Sequence, residues 1–241
     1  MKRSLSVIVL VFALVSEASA TWSILAVDSA SGQMVIASAT CLQQSVFPRI
    51  GARDLRDVQA VVVPGKGIAV CQAAIDTTRR NQQTVRTELE RGTDPARILE
   101  VLKLQDTAVE SRQFGILDLQ GKSIGFSGKG NLANALSESG KAESTIFYQM
   151  QGNILANNEV IHDAARSFVR ASGTLADRVM AAMEAADRNG GDRRCTDART
   201  AYVAYILIID KSGKETYITA TDEDSRNPIP ALRLRYNALT K

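Results

Sequence analysis

Residues 21–40 read TWSILAVDSASGQMVIASAT, two apolar, β-branched runs on either side of a polar tetrad. Thr21 to Asp28 is strand-like, Ser29 to Gly32 has the composition of a turn, and Met34 to Thr40 is a second short strand. This predicts an antiparallel hairpin. Further along, Val58 to Val63 and Ile68 to Ala74 flank Pro64-Gly65-Lys66-Gly67, a second strand pair that brings the first sheet to about four strands. Thr77 to Leu104 then has helical spacing, with Val85, Leu89, Ile98, Leu99 and Leu102 as apolar positions. A break near Gly92 and the Asp94-Pro95 start signal divide it into two helices. Strand character resumes in Gln113 to Leu119 and Lys122 to Ser127, around Gln120-Gly121, and in Ser144 to Gln151. Asn157 to Ala171 and Thr174 to Arg188 are helical, and Gly190-Gly191 ends the second. Thr200 to Asp210 and Tyr217 to Thr221 pair as strands across Lys211 to Lys214. Strands and helices thus come in separate blocks. The order predicts the α+β class, a four-layer αββα sandwich of two antiparallel sheets, over alternating βαβ units.

Upstream of the hairpin, Lys2 and Arg3 precede an apolar run from Leu5 to Val15, followed by Ser16 to Ala20. The run is shorter than the roughly 20 residues of a membrane span, and Ala18-Ser19-Ala20 supplies the small residues a signal peptidase requires. Residues 1–20 therefore read as a signal peptide and residues 21–241 as a single domain, periplasmic or secreted, with no stable membrane span after cleavage. Removing 20 residues from the 241 leaves 221, enough for a sizeable core. The loss of Lys2, Arg3 and Glu17 lowers the formal net charge from +3 to +2. Arg79-Arg80 and Arg193-Arg194 are dispersed and lack interleaved aromatics, which argues against a nucleic-acid partner. Homo-oligomerisation is left open. The three cysteines, Cys41, Cys71 and Cys195, allow one bridge at most and no zinc site; Cys41 and Cys71, at the ends of apolar strands, read as small buried residues.

The chain holds one histidine, His162, on a predicted helix and without a Gly-x-Ser-x-Gly elbow, so it reads as structural or solvated. There is no His-Glu-x-x-His, Cys-x-x-Cys, Walker-type loop or dinucleotide fingerprint, and no metal or cofactor is expected. Gly128-Lys129-Gly130 reads as a surface turn. What remains is Thr21, delivered by signal cleavage to the first position of the mature chain. There its hydroxyl lies beside its own α-amino group, whose pKa of about 7.7 to 8.0 suits a general base. An amide-bonded Thr21 nitrogen cannot take that proton, so an uncut precursor is expected to be inactive.

Gln151-Gly152-Asn153-Ile154-Leu155-Ala156 and Gly190-Gly191-Asp192-Arg193-Arg194, read with Thr21-Trp22-Ser23-Ile24 and Ala37-Ser38, resemble one family. It is domain-of-unknown-function family 1028, bacterial and archaeal proteins of the N-terminal-nucleophile (Ntn) hydrolase superfamily. Gln72, Arg112-Gln113, Asp118 and Ser127-Gly128 fall in the same order. Trp22 in place of the usual phenylalanine, and Cys195-Thr196 in place of a glycine after the arginine pair, are departures. The resemblance implies an Ntn-hydrolase-like αββα fold and hydrolysis of an amide bond in a small or peptide-like substrate. On this reading the catalytic candidates are Thr21, Asn153 and Asp192. Thr21 is nucleophile and base, and the Asn153 amide donates to the oxyanion, unless it merely caps a helix or turn. Asp192, with Arg193 or Arg194, orients the amine or grips a substrate carboxylate; a surface ion pair after a glycine pair is the plainer reading. Ser38 and Gln72 are weaker candidates for substrate contact. The alternative is a non-catalytic secreted protein that binds a ligand or peptidoglycan on the same fold.

Overall fold

The computed structural model describes residues 21–131 and 134–239. The signal-peptide expectation falls on residues 1–20, outside the described residues. Among the described residues ten strands form two antiparallel sheets. β1 (Thr21–Asp28) and β2 (Gln33–Thr40) form the predicted hairpin, in register from Thr21 opposite Thr40 to Asp28 opposite Gln33. They sit inside a six-stranded sheet with β7 (Leu136–Lys141), β8 (Ile146–Asn153), β9 (Val203–Ile209) and β10 (Glu215–Thr221), in the order β10-β9-β2-β1-β8-β7. The second sheet is β3 (Ala60–Val63), β4 (Gly67–Ala73), β5 (Arg112–Asp118) and β6 (Ser123–Ser127), paired in sequence order.

Sheet membership departs from the sequence expectation. The first two hairpins do not share a sheet, because residues 41–59 carry the chain across the sandwich through a 3-10 turn at Gln44–Ile50 and the short α1 (Leu55–Gln59). Part of the expected strand from Val58 is therefore helical.

The helices form the two outer layers. α2 (Arg80–Arg91) and α3 (Pro95–Gln105) pack Val85, Leu89, Ile98, Leu99 and Leu102 on the smaller sheet, against Val61, Ala69, Phe114 and Ile116. Gly92, at φ +76, ends α2 in the left-handed conformation that L side chains rarely adopt, and the Asp94 side chain caps α3 ahead of Pro95. α4 (Glu159–Arg170), α5 (Leu175–Arg188) and α6 (Pro228–Leu239) cover the larger sheet. Thr174 and Asp177 close a capping box at the start of α5. Among the described residues no helix is long and apolar enough to cross a membrane.

Strand alternation gives β1 two different faces. Trp22, Ile24 and Ala26 point to α4 and α5, whereas Leu25 and Val27 point to the second sheet. Thr21 and Ser23 share this inward face, and with Ser38, Thr40, Gln72, Gln113, Gln149, Gln151 and Asn153 they are polar residues buried within the fold. Leu25, Met34, Ile36, Ile68, Val70, Leu117 and Leu207 fill the layer between the sheets elsewhere. One end of that layer is thus polar, and Thr21 lies in it.

Candidate active site

Thr21 opens an inner strand, opposite Thr40 on one side and Asn153 on the other, and is 1% exposed. Each of its polar groups meets a side chain from a different strand. The nitrogen donates to Asn153 Oδ1 at 2.9 Å, Oγ1 donates to Thr40 Oγ1 at 3.3 Å, and the carbonyl accepts from Gln72 Nε2 at 3.1 Å. Strands β8, β2 and β4, from both sheets, therefore converge on this residue.

Behind it the polar seam is matched around Gln72 and Gln113, whereas the buried Gln151 amide has no hydrogen-bond partner among the described residues. Gln72 Nε2 also donates to Gln113 Oε1 at 2.7 Å, and Gln113 Nε2 donates to Ser127 Oγ at 2.7 Å and to the Gly152 carbonyl at 2.8 Å. Ser23 Oγ donates to Gln72 Oε1. Ser38 then has one proton for two acceptors, Ser23 Oγ at 2.9 Å and the Trp22 carbonyl at 2.8 Å. Buried amides and hydroxyls are tolerated because they find such partners, and each broken bond leaves an unsatisfied group at a cost of about 1–3 kcal/mol. Ser38 and Gln72, the weaker candidates, are buried and bonded to Ser23, the Trp22 carbonyl and the Thr21 carbonyl, and so hold β1 in place.

The Gln151–Ala156 segment turns at the nucleophile candidate. Gln151 lies over Gly115, where any Cβ would come within 2.2 Å of its Oε1. Asn153 directs Oδ1 at Thr21 and Nδ2 at Asn131 Oδ1, 3.3 Å away. Its Oδ1 is thus engaged with the Thr21 nitrogen, while Nδ2, with two protons, gives one to Asn131. Ile154 follows at φ 52 and Ala73, directly after Gln72, at φ 73. Positive φ is uncommon for alanine and an outlier for a β-branched residue, and such strain of about 1–3 kcal/mol persists where surrounding contacts over-determine the backbone. Both strained residues adjoin side chains that grip Thr21.

The second motif buttresses the first. Leu155 bridges to Asp192, the Ala156 N–H donates to the Gly191 carbonyl at 2.9 Å, and the Arg193 N–H donates to the Ile154 carbonyl at 3.2 Å. Gly191, at φ +50, lies against the indole: a Cβ there would be 2.6 Å from Trp22 Cη2 and 2.7 Å from Cζ3. Asp192 is 1% exposed, and no hydrogen bond joins its carboxylate to Thr21. Its Oδ2 accepts from the Cys41 N–H at 2.9 Å and from Arg194 Nη2 at 2.9 Å, while Oδ1 accepts from the Arg194 N–H at 3.0 Å. Asp192 therefore fixes the residue after Thr40, and Arg194 is engaged in holding that carboxylate. Arg193 is exposed, with no side-chain ion pair among the described residues.

A disulfide joins Cys41 to Cys195 and ties the same loop to the end of β2. This corrects the expectation that Cys41 is a buried thiol; the pairing depends on the chain meeting itself 154 residues later, which strand composition does not reveal. Cys71 is the buried free cysteine, and burial pushes its thiol up to about 12. A thiol so rarely ionised is a poor nucleophile. His162 pairs with Glu138 at 2.7 Å, on the helix-covered face near β7. Among the described residues no cluster of three or more His, Cys, Asp or Glu could hold a metal ion.

The sequence reading missed Thr40 and Asn131, and quoted Ser23 and Gln113 only within the family motifs, without a role. The available signal was polarity beside apolar strand runs: Gln72 interrupts GIAVCQA, and Gln113, after Arg112, precedes the apolar FGIL of β5. A mixed-charge cleft of about 900 Å³, lined by Asp197, Arg199, Asp222, Glu223 and Arg226 among others, opens beyond the end of β10. Its Asp197–Arg199 wall follows Cys195 of the disulfide.

A model of a family described as of unknown function, DUF1028, matches residues 21–232. Among solved structures, protein SPO2555 from Silicibacter pomeroyi, which carries the same family model, superposes with a TM-score of 0.73 at 24% identity, over 92% of this chain and 90% of that one. That likeness concerns the fold. No curated protein matches.

Proposed function

The chain belongs to the family of unknown function DUF1028, and from its site we propose an exported N-terminal-nucleophile amidohydrolase that acts through Thr21 once residues 1–20 are removed. The observation that carries this reading is the grip on Thr21, whose nitrogen, hydroxyl and carbonyl are each engaged by a side chain from another strand. Any buried main-chain N–H needs an acceptor; here it is a side-chain amide oxygen, which a freed amine at position 21 would keep.

With the preceding residue gone, the neutral α-amine keeps one N–H on Asn153 Oδ1 and has its lone pair for the Oγ1 proton. Oγ1 attacks the substrate carbonyl carbon, the resulting ammonium returns the proton to the departing amine, and the acyl group remains on Thr21 as an ester. Water, deprotonated by the same amine, then releases it as the acid. Asn153 acts on the base and Thr40 holds the hydroxyl. Asp192 acts at one remove, by fixing the Cys41 N–H beside Thr40. Arg193, with no side-chain ion pair, suits a carboxylate on a small or peptide-like substrate.

The Cys41–Cys195 disulfide supports export, since such bonds persist in oxidising compartments. The test begins with intact mass and N-terminal sequencing of protein recovered from the periplasm or medium. A chain starting at Thr21 is then assayed against a panel of N-acyl amino acids and peptides, beside Thr21→Ala and Thr21→Ser. Turnover lost in the alanine variant and partly kept in the serine variant is the expected result. A chain starting elsewhere, or activity that survives Thr21→Ala, refutes the mechanism. Ligand binding without turnover in the wild type favours a binding protein.

A further inference from the structure

We infer that the Ala20–Thr21 bond can be cut only before β1 docks, so that a chain which folds with residues 1–20 attached is locked as an inactive precursor. This rests on the reading that Thr21 is the mature first residue, and concerns when that residue is released. The reaction is hydrolysis: water adds to the Ala20 carbonyl, the C–N bond to Thr21 breaks, and Thr21 gains a free amine while Ala20 keeps a carboxylate.

A processing peptidase needs the residues on both sides of the scissile bond extended and free to hydrogen-bond with its own cleft, as peptides bound by strand addition do. Downstream of this bond those residues are Thr21, Trp22 and Ser23, at 1%, 0% and 0% exposure. Both of their edges are taken, by Thr40, Ala39 and Ser38 on one side and by Asn153, Gly152 and Gln151 on the other. The Thr21 N–H is held by Asn153, its carbonyl by Gln72, and the indole of Trp22 lies against Gly191. Admitting a protease means peeling the first residues of an inner strand out of the sheet and withdrawing the tryptophan from the α4–α5 core. Cleavage of the folded chain therefore follows the rare open population, and should be slower than cleavage of the unfolded chain by roughly a thousandfold or more.

The fold carries its own probe of this step. Trp22 is the chain's one tryptophan, so its emission reports the docking of β1 itself. The experiment dilutes the urea-unfolded full-length chain into refolding buffer with detergent, adds signal peptidase after increasing delays, and reads cleavage by mass and N-terminal sequence. The expected result is a cleaved fraction that falls with delay on the time course of the Trp22 signal. Equal cleavage at all delays, with Thr21 as the new N-terminus, overturns the inference and leaves the nucleophile reading intact. So does cleavage of the folded chain without peptidase that is lost in Thr21→Ala. No cleavage before Thr21 even at zero delay removes the nucleophile reading, and the inference with it.

Discussion

Reducing the Cys41–Cys195 disulfide should destabilise the protein by an amount that follows from topology. The bridge closes a loop of 154 residues in sequence, about 70% of residues 21–241. In the chain-entropy description a cross-link removes about 2.1 + 1.5R ln n cal/mol/K from the unfolded state, which for this loop is about 17 cal/mol/K, or about 5 kcal/mol at 25 °C. That is an upper estimate, and it rivals the 5–15 kcal/mol net stability of an ordinary domain. With a urea m-value of ~2.5 kcal/mol/M, the unfolding midpoint should fall by about 2 M between the oxidised protein and the Cys41→Ser/Cys195→Ser variant. Trp22 fluorescence follows the transition. Thiol titration in denaturant should count one free cysteine before reduction, Cys71, and three after. Because Cys41 adjoins Thr40, turnover should also drop in the reduced protein under conditions where it is still folded. A midpoint unchanged within ~0.3 M after reduction to three thiols would refute the reasoning, since the loop term alone predicts several times that shift.

Other outcomes follow from the site and its supports. Asn153→Asp keeps an acceptor for the Thr21 amine but adds a negative charge beside it, so the rising limb of the pH–rate profile should move up by about 1–2 units; an unmoved limb would detach Asn153 from the base. Gly191→Ala forces a Cβ to within 2.6 Å of the Trp22 ring and 2.8 Å of the Thr200 carbonyl at a positive φ, and should destabilise by about 2–3 kcal/mol in thermal or urea unfolding. Burial raises the Asp187 carboxyl above its ordinary value, despite the hydrogen bond from Thr200. Its contribution to stability is therefore present at low pH and lost as pH rises through the folded value. Asp187→Asn should accordingly be more stable than the parent at pH 7 and no different below the ordinary carboxylate value of 3.8, as read by urea midpoints at each pH.

The parts of the fold written in local pattern were legible. The Thr21–Thr40 hairpin, the paired helices around Gly92 and Asp94-Pro95, and the capped α5 each carry their own signal within a dozen or so residues. β7 was not legible, because its sequence LSESGK is a polar, mostly exposed edge with no apolar alternation. α6 was hidden by its two prolines and weak apolar stripe. The split of the first two hairpins between sheets depends on a crossover rather than on strand composition. At the site, Thr21 and Asn153 could be singled out from position and motif. Thr40 and Ser23 could not, because a hydroxyl residue in a strand reads as ordinary β propensity until its partner across the sandwich is known. Ser38 and Gln72 were found for the right neighbourhood, but their contacts with Ser23 and the Thr21 carbonyl were not. Their burial is a property of the packed sandwich.

The contact between Trp22 and Gly191 has an evolutionary reading. The atoms closest to the would-be Cβ, Cη2 and Cζ3, belong to the outer rim of the indole, which phenylalanine lacks. Positions 22 and 191 therefore divide one fixed volume between them. A lineage that keeps the indole is bound to glycine, while one that carries phenylalanine is relieved of the ring clash and left with the Thr200 carbonyl, 2.8 Å from the would-be Cβ. The two sites should covary across relatives although 169 positions apart in the chain, and Trp22→Phe should recover part of the stability lost in Gly191→Ala.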